Sequence, residues 1–228
     1  MKPIVGIVGR PNFPDENSSM IVVADYYRKA IIENGGIPLM ILPPQLIEYN
    51  NSKPSEVMKL SEDEKLSVKR QLQLCDGILM PGGYKVFEHD FLILEYAINN
   101  DIPILGICLG MQIMSNYKEE YYNEKNDNVK VNHYDLDNEY SHVVKLDKNS
   151  KLYSIFEQEE IKVNSLHNYH AVKAGKYKVV GLSEDGLIEA LEYPQNKFNI
   201  GVQWHPERLK NDKLQNRLFK SFIESSKK

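Results

Sequence analysis

The sequence has only two cysteines, Cys75 and Cys108, too few for a disulfide framework, which points to a reducing cytoplasmic setting. It lacks any apolar run approaching the roughly 18 residues that a membrane span needs. It lacks positive charge in excess. The formal net charge is -4 and the pI near 5.9, which argues against a nucleic-acid or anionic-membrane surface. No internal repeat of fixed period is visible. Met1-Lys2-Pro3 runs straight into an apolar strand, so no leader peptide is expected. Against these absences, 42% hydrophobic and 26% charged residues over 228 positions describe an ordinary globular chain, expected to form one domain over 1–228.

One stretch organises the chain. Pro103 to Ile107 reads as a buried parallel strand, and Leu109 to Met114 as the start of a helix. Cys108 stands at the joint, with Gly106 two residues before it and Gly110 two after. This is a G-x-nucleophile-x-G elbow with cysteine as the nucleophile. It places a sulfur at the carboxyl end of a strand, where open α/β sheets bind ligands, and at a helix N-terminus, which favours thiolate. Taken alone, such a cysteine is as readily a packing residue.

In order, the chain reads as strand Ile4–Val8, a loop over Gly9–Ser19, helical spacing over Met20–Asn34 stopped at Gly35-Gly36, and strand Ile37–Leu42. The segment from Gln45 to Pro54 reads as irregular. Ser61 with Glu64 forms a capping box for a helix to about Leu74. Strand Gly77–Met80, helix Phe87–Asn99 and the elbow follow. This alternation predicts a parallel, doubly wound sheet. The polar stretch Tyr117–Asn138 reads as a surface excursion over the face that carries the site. Strands are expected at His142–Leu146, Lys162–Asn164, Lys178–Leu182, Ile188–Glu192 and Asn199–Gln203, the Leu187–Tyr193 stretch extending the sheet, and a closing amphipathic helix at Asn211–Ser225.

A cysteine nucleophile needs a base, an orienter and oxyanion donors. His205 and Glu207 follow an apolar strand with Pro206 between them, and residues i and i+2 of an extended chain point the same way. Glu207 can therefore hold one imidazole nitrogen while the other faces Cys108. Pro81-Gly82-Gly83, after its own strand, offers close backbone approach, so the Gly83 and Leu109 amides are the expected oxyanion donors and Gly82 lies against substrate. Gln112, one helical turn beyond Cys108, and Asn164, Ser165 and His167 at another strand end are candidate substrate contacts. His167 and His170 invite a metal reading, but no acid stands near them in sequence, and no metal site is expected. His89, His133 and His142 are read as surface or structural, and Cys75 as core.

Together, Gly106-Ile107-Cys108-Leu109-Gly110-Met111-Gln112, Pro81-Gly82-Gly83 and His205-Pro206-Glu207 resemble the class I glutamine amidotransferase superfamily. The run from Lys2 to Arg10, Tyr27–Ala30 with Gly35-Gly36-Ile37-Pro38, and Val163-Asn164-Ser165 resemble its γ-glutamyl hydrolase branch, which includes γ-glutamyl-γ-aminobutyrate hydrolases. The resemblance implies an α/β flavodoxin-like three-layer sandwich, a Cys108–His205–Glu207 triad and γ-glutamyl thioester chemistry without metal or organic cofactor. The chain departs from the branch at four places. Leu109 replaces a usual Arg, Leu166-His167-Asn168-Tyr169-His170 replaces a His-His-Gln type run, Tyr117–Asn128 replaces a Gly-rich stretch, and an Arg-Asp pair is missing near Val86-Phe87. The expected activity is hydrolysis of a small γ-glutamyl amide or glutamine. The alternatives are a glutaminase subunit feeding ammonia to a synthase, and a binding module without turnover. A homodimer or a synthase partner stays open.

Overall fold

The computed structural model describes residues 1–15, 18–47, 49, 59–127, 129–209 and 211–228. The apolar Ile4–Val8 forms β1, and β2 (Arg10–Asp15) and β3 (Ser18–Val22) follow as an antiparallel hairpin. The hairpin corrects two expectations. The Gly9–Ser19 segment is not a loop throughout, and the helix foreseen from Met20 begins at Asp25 as α1 (Asp25–Glu33). Ile21, Val22 and Val23 are β-branched, and pairing with Arg10 and Pro11 wins over helical spacing. After Gly35, whose φ of +90° closes the helix, comes β4 (Ile37–Ile41). Of the segment expected to be irregular, only residues 45–47 and 49 lie among the described ones.

The capping box is present at α2 (Glu62–Leu72). Glu64 N donates to Ser61 Oγ at 3.3 Å and Ser61 N to Glu64 Oε2 at 2.8 Å. Then come β5 (Gly77–Met80), α3 (Glu88–Asn99), β6 (Ile104–Ile107), α4 (Leu109–Ser115), β7 (Asn123–Lys125) and β8 (His142–Leu146). The six-residue α5 (Lys151–Phe156), capped by Ser150, is too short to leave a periodic signal. The chain continues as β9 (Glu160–Val163), β10 (Tyr169–Ala171), β11 (Lys178–Ser183), β12 (Ile188–Glu192), β13 (Asn199–Val202), a 3₁₀ turn at Pro206–Arg208 and α6 (Lys213–Ser225).

Nine strands form one sheet in the order β4-β1-β5-β6-β13-β12-β11-β8-β9. The first five are parallel and follow the 2-1-3-4-5 order of flavodoxin-like folds. The other four are antiparallel, so the doubly wound half expected from the sequence carries an antiparallel extension on one edge, in which the β8–β9 hairpin adds to β11 through β8. Each face has its own core. Tyr27 and Ile31 of α1, Phe156 of α5 and Phe219 and Phe222 of α6 cover one face, and Val68, Leu72, Ile93, Leu94, Ile113 and Met114 of α2, α3 and α4 the other. The result is a three-layer α/β sandwich. No helix among the described residues is long and apolar enough to cross a membrane.

Candidate active site

Four neighbouring parallel strands deliver the site. Arg10 follows β1, Gly82 and Gly83 follow β5, Cys108 follows β6 and His205 follows β13. Because the strands run the same way, all four positions open at one edge, the carboxyl ends. They line a cavity of about 840 Å³.

Cys108 sits between β6 and α4 with φ 52° and ψ -104°, a conformation that costs a non-glycine residue on the order of 1–3 kcal/mol. Cys108 N donates to Val202 O at 2.8 Å, pinning the elbow to β13. The flanking glycines are steric necessities. A Cβ on Gly110 would lie 2.2 Å from Met80 O, and one on Gly106 would lie 2.8 Å from the Gly110 carbonyl carbon. As α4's first residue, Leu109 has an amide with no intrahelical acceptor. The Gly83 amide makes no hydrogen bond with a described residue.

His205 Nδ1 donates to Glu207 Oε1 at 2.7 Å, which leaves Nε2 for Cys108. Burial opposes charge on the ring, but Glu207 and then Cys108 outweigh it and raise His205 from 6.5 to about 10. Asn164 grips the backbone of His205 on both sides. Its Nδ2 donates to His205 O, and its Oδ1 accepts from His205 N, each at 2.9 Å. The neighbouring Trp204 is fully buried and donates from Nε1 to Gln215 Oε1 of α6 at 2.9 Å. An imidazole held this way keeps its ring position.

The other candidates are engaged within the protein. The Gly82 amide donates to Tyr27 Oη at 3.0 Å, and a Cβ at Gly82 would meet His205 Cε1 at 2.9 Å, so this glycine makes room for the imidazole. Burial, and then the Glu207 carboxylate, push the Tyr27 phenol well above its ordinary range, keeping it protonated. Gln112 lines the cavity, yet its Nε2 donates to Tyr169 O at 2.8 Å and Gln203 Oε1 at 3.2 Å, and its Oε1 accepts from Asn123 Nδ2 at 3.3 Å. Ser165 is fully buried and donates to His133 O at 3.0 Å. His167 touches the cavity wall, but its Nδ1 is 3.0 Å from Tyr169 O. Asn164, Ser165 and Gln112 thus all hydrogen-bond within the protein, Gln112 while also lining the cavity.

Of the two roles read for His89, His133 and His142, surface or structural, their burial leaves the structural one. His170 Nδ1 is 2.8 Å from Asn126 Oδ1, and the Nδ2 of the same Asn126 donates to His167 O at 2.8 Å. An acid does stand beside His167, namely Glu189, 22 positions further along the chain. Cys75 is core, as expected. Sequence reasoning passed over Arg10. It is buried, with Nη1 2.6 Å from Asp90 Oδ1 and its aliphatic Cδ 3.2 Å from where a Gly83 Cβ would be, so it braces the Gly82–Gly83 turn. This is an Arg–Asp pair, but one assembled from β2 and α3. The Tyr117–Asn138 excursion does lie over the site. β7 pairs with β10, and Tyr121, Tyr122, Tyr134 and Leu136 form part of the cavity wall.

Comparison with known proteins follows the same lines. The family model described as Peptidase C26 matches residues 87–207, more than half of the chain. A glutamine amidotransferase-like protein of Rickettsia prowazekii (strain Madrid E) is 28% identical, with 99% of this chain and 98% of that one covered. The CTP synthase of Thermotoga maritima is 31% identical over 71% of this chain, which spans only 37% of that enzyme. The crystal structure of a glutamine amidotransferase from Thermotoga maritima superposes with a TM-score of 0.57 at 16% identity, covering 99% of this chain and 98% of that one, a likeness of fold. With the elbow strand, the glycine turn and the histidine strand side by side in such a fold, the chain belongs to the Peptidase C26 family of the class I glutamine amidotransferase-like superfamily.

Proposed function

We propose that this chain, a glutamine amidotransferase-type hydrolase, acts as one domain that cleaves γ-glutamyl amides through a thioester on Cys108, in keeping with the γ-glutamyl hydrolase branch. The observation that carries the reading is the strained Cys108 beside an imidazole whose far nitrogen is tied to Glu207 at 2.7 Å. His205 Nε2 takes the thiol proton as sulfur attacks the γ-carbonyl. The Gly83 and Leu109 amides donate to the oxyanion. The imidazolium then protonates the leaving nitrogen, the C–N bond breaks, and the amine departs. A water gives its proton to His205 and attacks the thioester, releasing glutamate and restoring the thiol. Glu207 fixes the tautomer throughout.

A cavity of about 840 Å³ with a partly aromatic wall supports a leaving group larger than ammonia. Tyr121, Tyr122 and Tyr134 of the cavity wall would stand beside the leaving amine, the first two in the Tyr117–Asn128 stretch that departs from the branch pattern. The alignment with CTP synthases favours a second reading, a glutaminase unit that hands ammonia to a synthase partner. Glutamate and ammonia release by the purified chain, across glutamine and γ-glutamyl amides with apolar, cationic and carboxylate-bearing amines, separates the two. The expected result is turnover by the chain alone, faster on an amide than on glutamine. Turnover of glutamine only, and only after a synthase is added, would replace the first reading with the second.

A further inference from the structure

The antiparallel half of the sheet holds a cluster that the elbow chemistry does not use. His133 comes from the excursion, His142 opens β8, His167 follows β9, and Glu189 lies in β12. Their side chains are 1%, 0%, 1% and 0% exposed. Glu189 Oε1 lies 3.4 Å from His133 Nδ1, 3.4 Å from His142 Nε2 and 3.6 Å from His167 Nε2. Ligand atoms of His133, His142 and Glu189 all lie within 4.8 Å of one another. Both Glu189 oxygens and all three facing nitrogens lack a hydrogen-bond partner among the described residues. A carboxylate buried without a partner is among the most costly arrangements a fold can hold.

The outer contacts say which nitrogens carry protons. His167 Nδ1 is 3.0 Å from the Tyr169 carbonyl, which can only accept, and 3.4 Å from Asn126 Nδ2, which donates at 2.8 Å to His167 O instead, so in a neutral ring Nδ1 carries hydrogen and Nε2 a lone pair. His133 Nε2 is 3.3 Å from both Asp185 oxygens. Asp185 is itself held ionised: Ser183 Oγ donates to it at 2.6 Å, and the Lys130 and Val131 amides donate at 3.2 and 3.3 Å. In a neutral ring, donation from Nε2 to that carboxylate leaves a lone pair on His133 Nδ1. Two lone pairs then face one carboxylate oxygen, an arrangement that a cation between them, or extra protons on the rings, relieves. The spacing suits such a cation. A tetrahedral centre with bonds of about 2.0–2.1 Å separates its ligand atoms by about 3.3–3.4 Å. A charged N–H···O hydrogen bond would draw the same atoms to about 2.7–2.9 Å, as it does for His205 and Glu207 at 2.7 Å.

We propose that His133, His142 and Glu189, whose ligand atoms already converge, bind one divalent transition-metal ion, zinc before others, and that His167, 3.6 Å from Glu189 Oε1, completes a closed structural centre. Three imidazoles and a carboxylate are a zinc-type donor set, and Asp185 on His133 and the Tyr169 carbonyl on His167 orient the rings from outside. A divalent ion against Glu189 and Asp185 leaves the buried cluster neutral. With four protein ligands and no exposure, no position is open for substrate or reactive water. The centre joins the excursion to β8, β12 and the loop after β9. It is independent of the γ-glutamyl reading.

The test is metal analysis of the whole chain purified without chelators. About one zinc per chain is expected. Stripping with a strong chelator should lower the melting temperature, and Zn²⁺ alone should restore it. Co²⁺ added to the stripped chain should give the visible absorption of a tetrahedral site. His142→Ala and Glu189→Gln should weaken zinc binding in competition with a chromophoric chelator by more than about 100-fold, and Asp185→Asn by about 10–100-fold. Should the ligand variants fail to fold, the chelator response and the Co²⁺ spectrum of the unaltered chain decide. A chain that carries no metal, shows no Co²⁺ absorption and melts at one temperature with or without Zn²⁺ would overturn the proposal in favour of shared protons. So would full zinc retention in folded His142→Ala and Glu189→Gln.

Discussion

Two groupings of histidine and glutamate lie in this molecule, and they are built differently. In the elbow, His205 and Glu207 are two residues apart, bonded at 2.7 Å, and the ring's second nitrogen faces a cavity. In the antiparallel half, three histidines and Glu189 come from four segments and meet at 3.4–3.6 Å with no hydrogen bond between them. The first arrangement fixes one proton and leaves the other free to move, as a general base requires. The second converges lone pairs, as a cation cage requires. Contact distance and the proton on the far nitrogen distinguish them, where residue type does not.

The sharpest way to break this contrast is at the sulfur. Cys108→Ala should lower glutamate release by roughly 10⁴-fold or more while the thermal transition stays put. A folded Cys108→Ala protein that still turns over would remove the elbow from the chemistry.

Next come the base and its orienter. His205→Ala should cost more turnover than Glu207→Gln, by about tenfold to a hundredfold, because the carboxylate orients the ring without transferring the proton. The pH dependence of stability gives a separate reading. The folded-state value of His205, about 10, lies above its ordinary 6.5. The stabilisation is therefore full below about pH 6.5 and lost as pH rises through about 10. In Glu207→Gln that loss between neutral and alkaline pH should shrink. Melting curves across this range check it, and an unchanged slope would mean Glu207 does not hold the imidazolium.

Asn164 is the third point of comparison, since it holds the backbone of His205 and not its ring. Asn164→Ala should lower kcat by about 10–100-fold with little change in KM, and should cost about 1–3 kcal/mol by leaving buried backbone groups unpaired. A rise in KM alone would return Asn164 to the substrate-contact role that the sequence suggested. The smallest effect concerns the two cysteines. Burial pushes Cys75 up to about 11, so limiting iodoacetamide at neutral pH should label Cys108 first. Peptide mapping that finds Cys75 ahead would count against an activated Cys108.

The elbow was legible because its parts are local. The glycines at 106 and 110 are dictated by contacts within a few ångströms of the turn, and the His205–Glu207 pair by its two-residue separation, although a 3₁₀ turn at Pro206–Arg208, and not the extended chain expected, brings the two side chains together. The parallel half of the fold was legible for the same reason, with apolar strands alternating with capped helices. The β2–β3 hairpin was not, because Met20–Val23 carries both helical spacing and β-branched residues, and only pairing with β2 chooses between them. Nor was the framework role of Gln112 and Ser165, whose partners lie 57 and 32 positions away.

By itself, then, the sequence picked out the proposed nucleophile, base and orienter and the strand ends that carry them, since each follows from spacing along one short segment. Only the tertiary structure decided which polar residues line the cavity and which hydrogen-bond within the frame. It also turned His133, His142 and His167, read as unconnected, into one cluster around Glu189. The physical reason is range. A side chain's role is set by the atoms within about 4 Å of it, and for a buried polar group in a mixed sheet those atoms come from segments whose separation along the chain carries no signal.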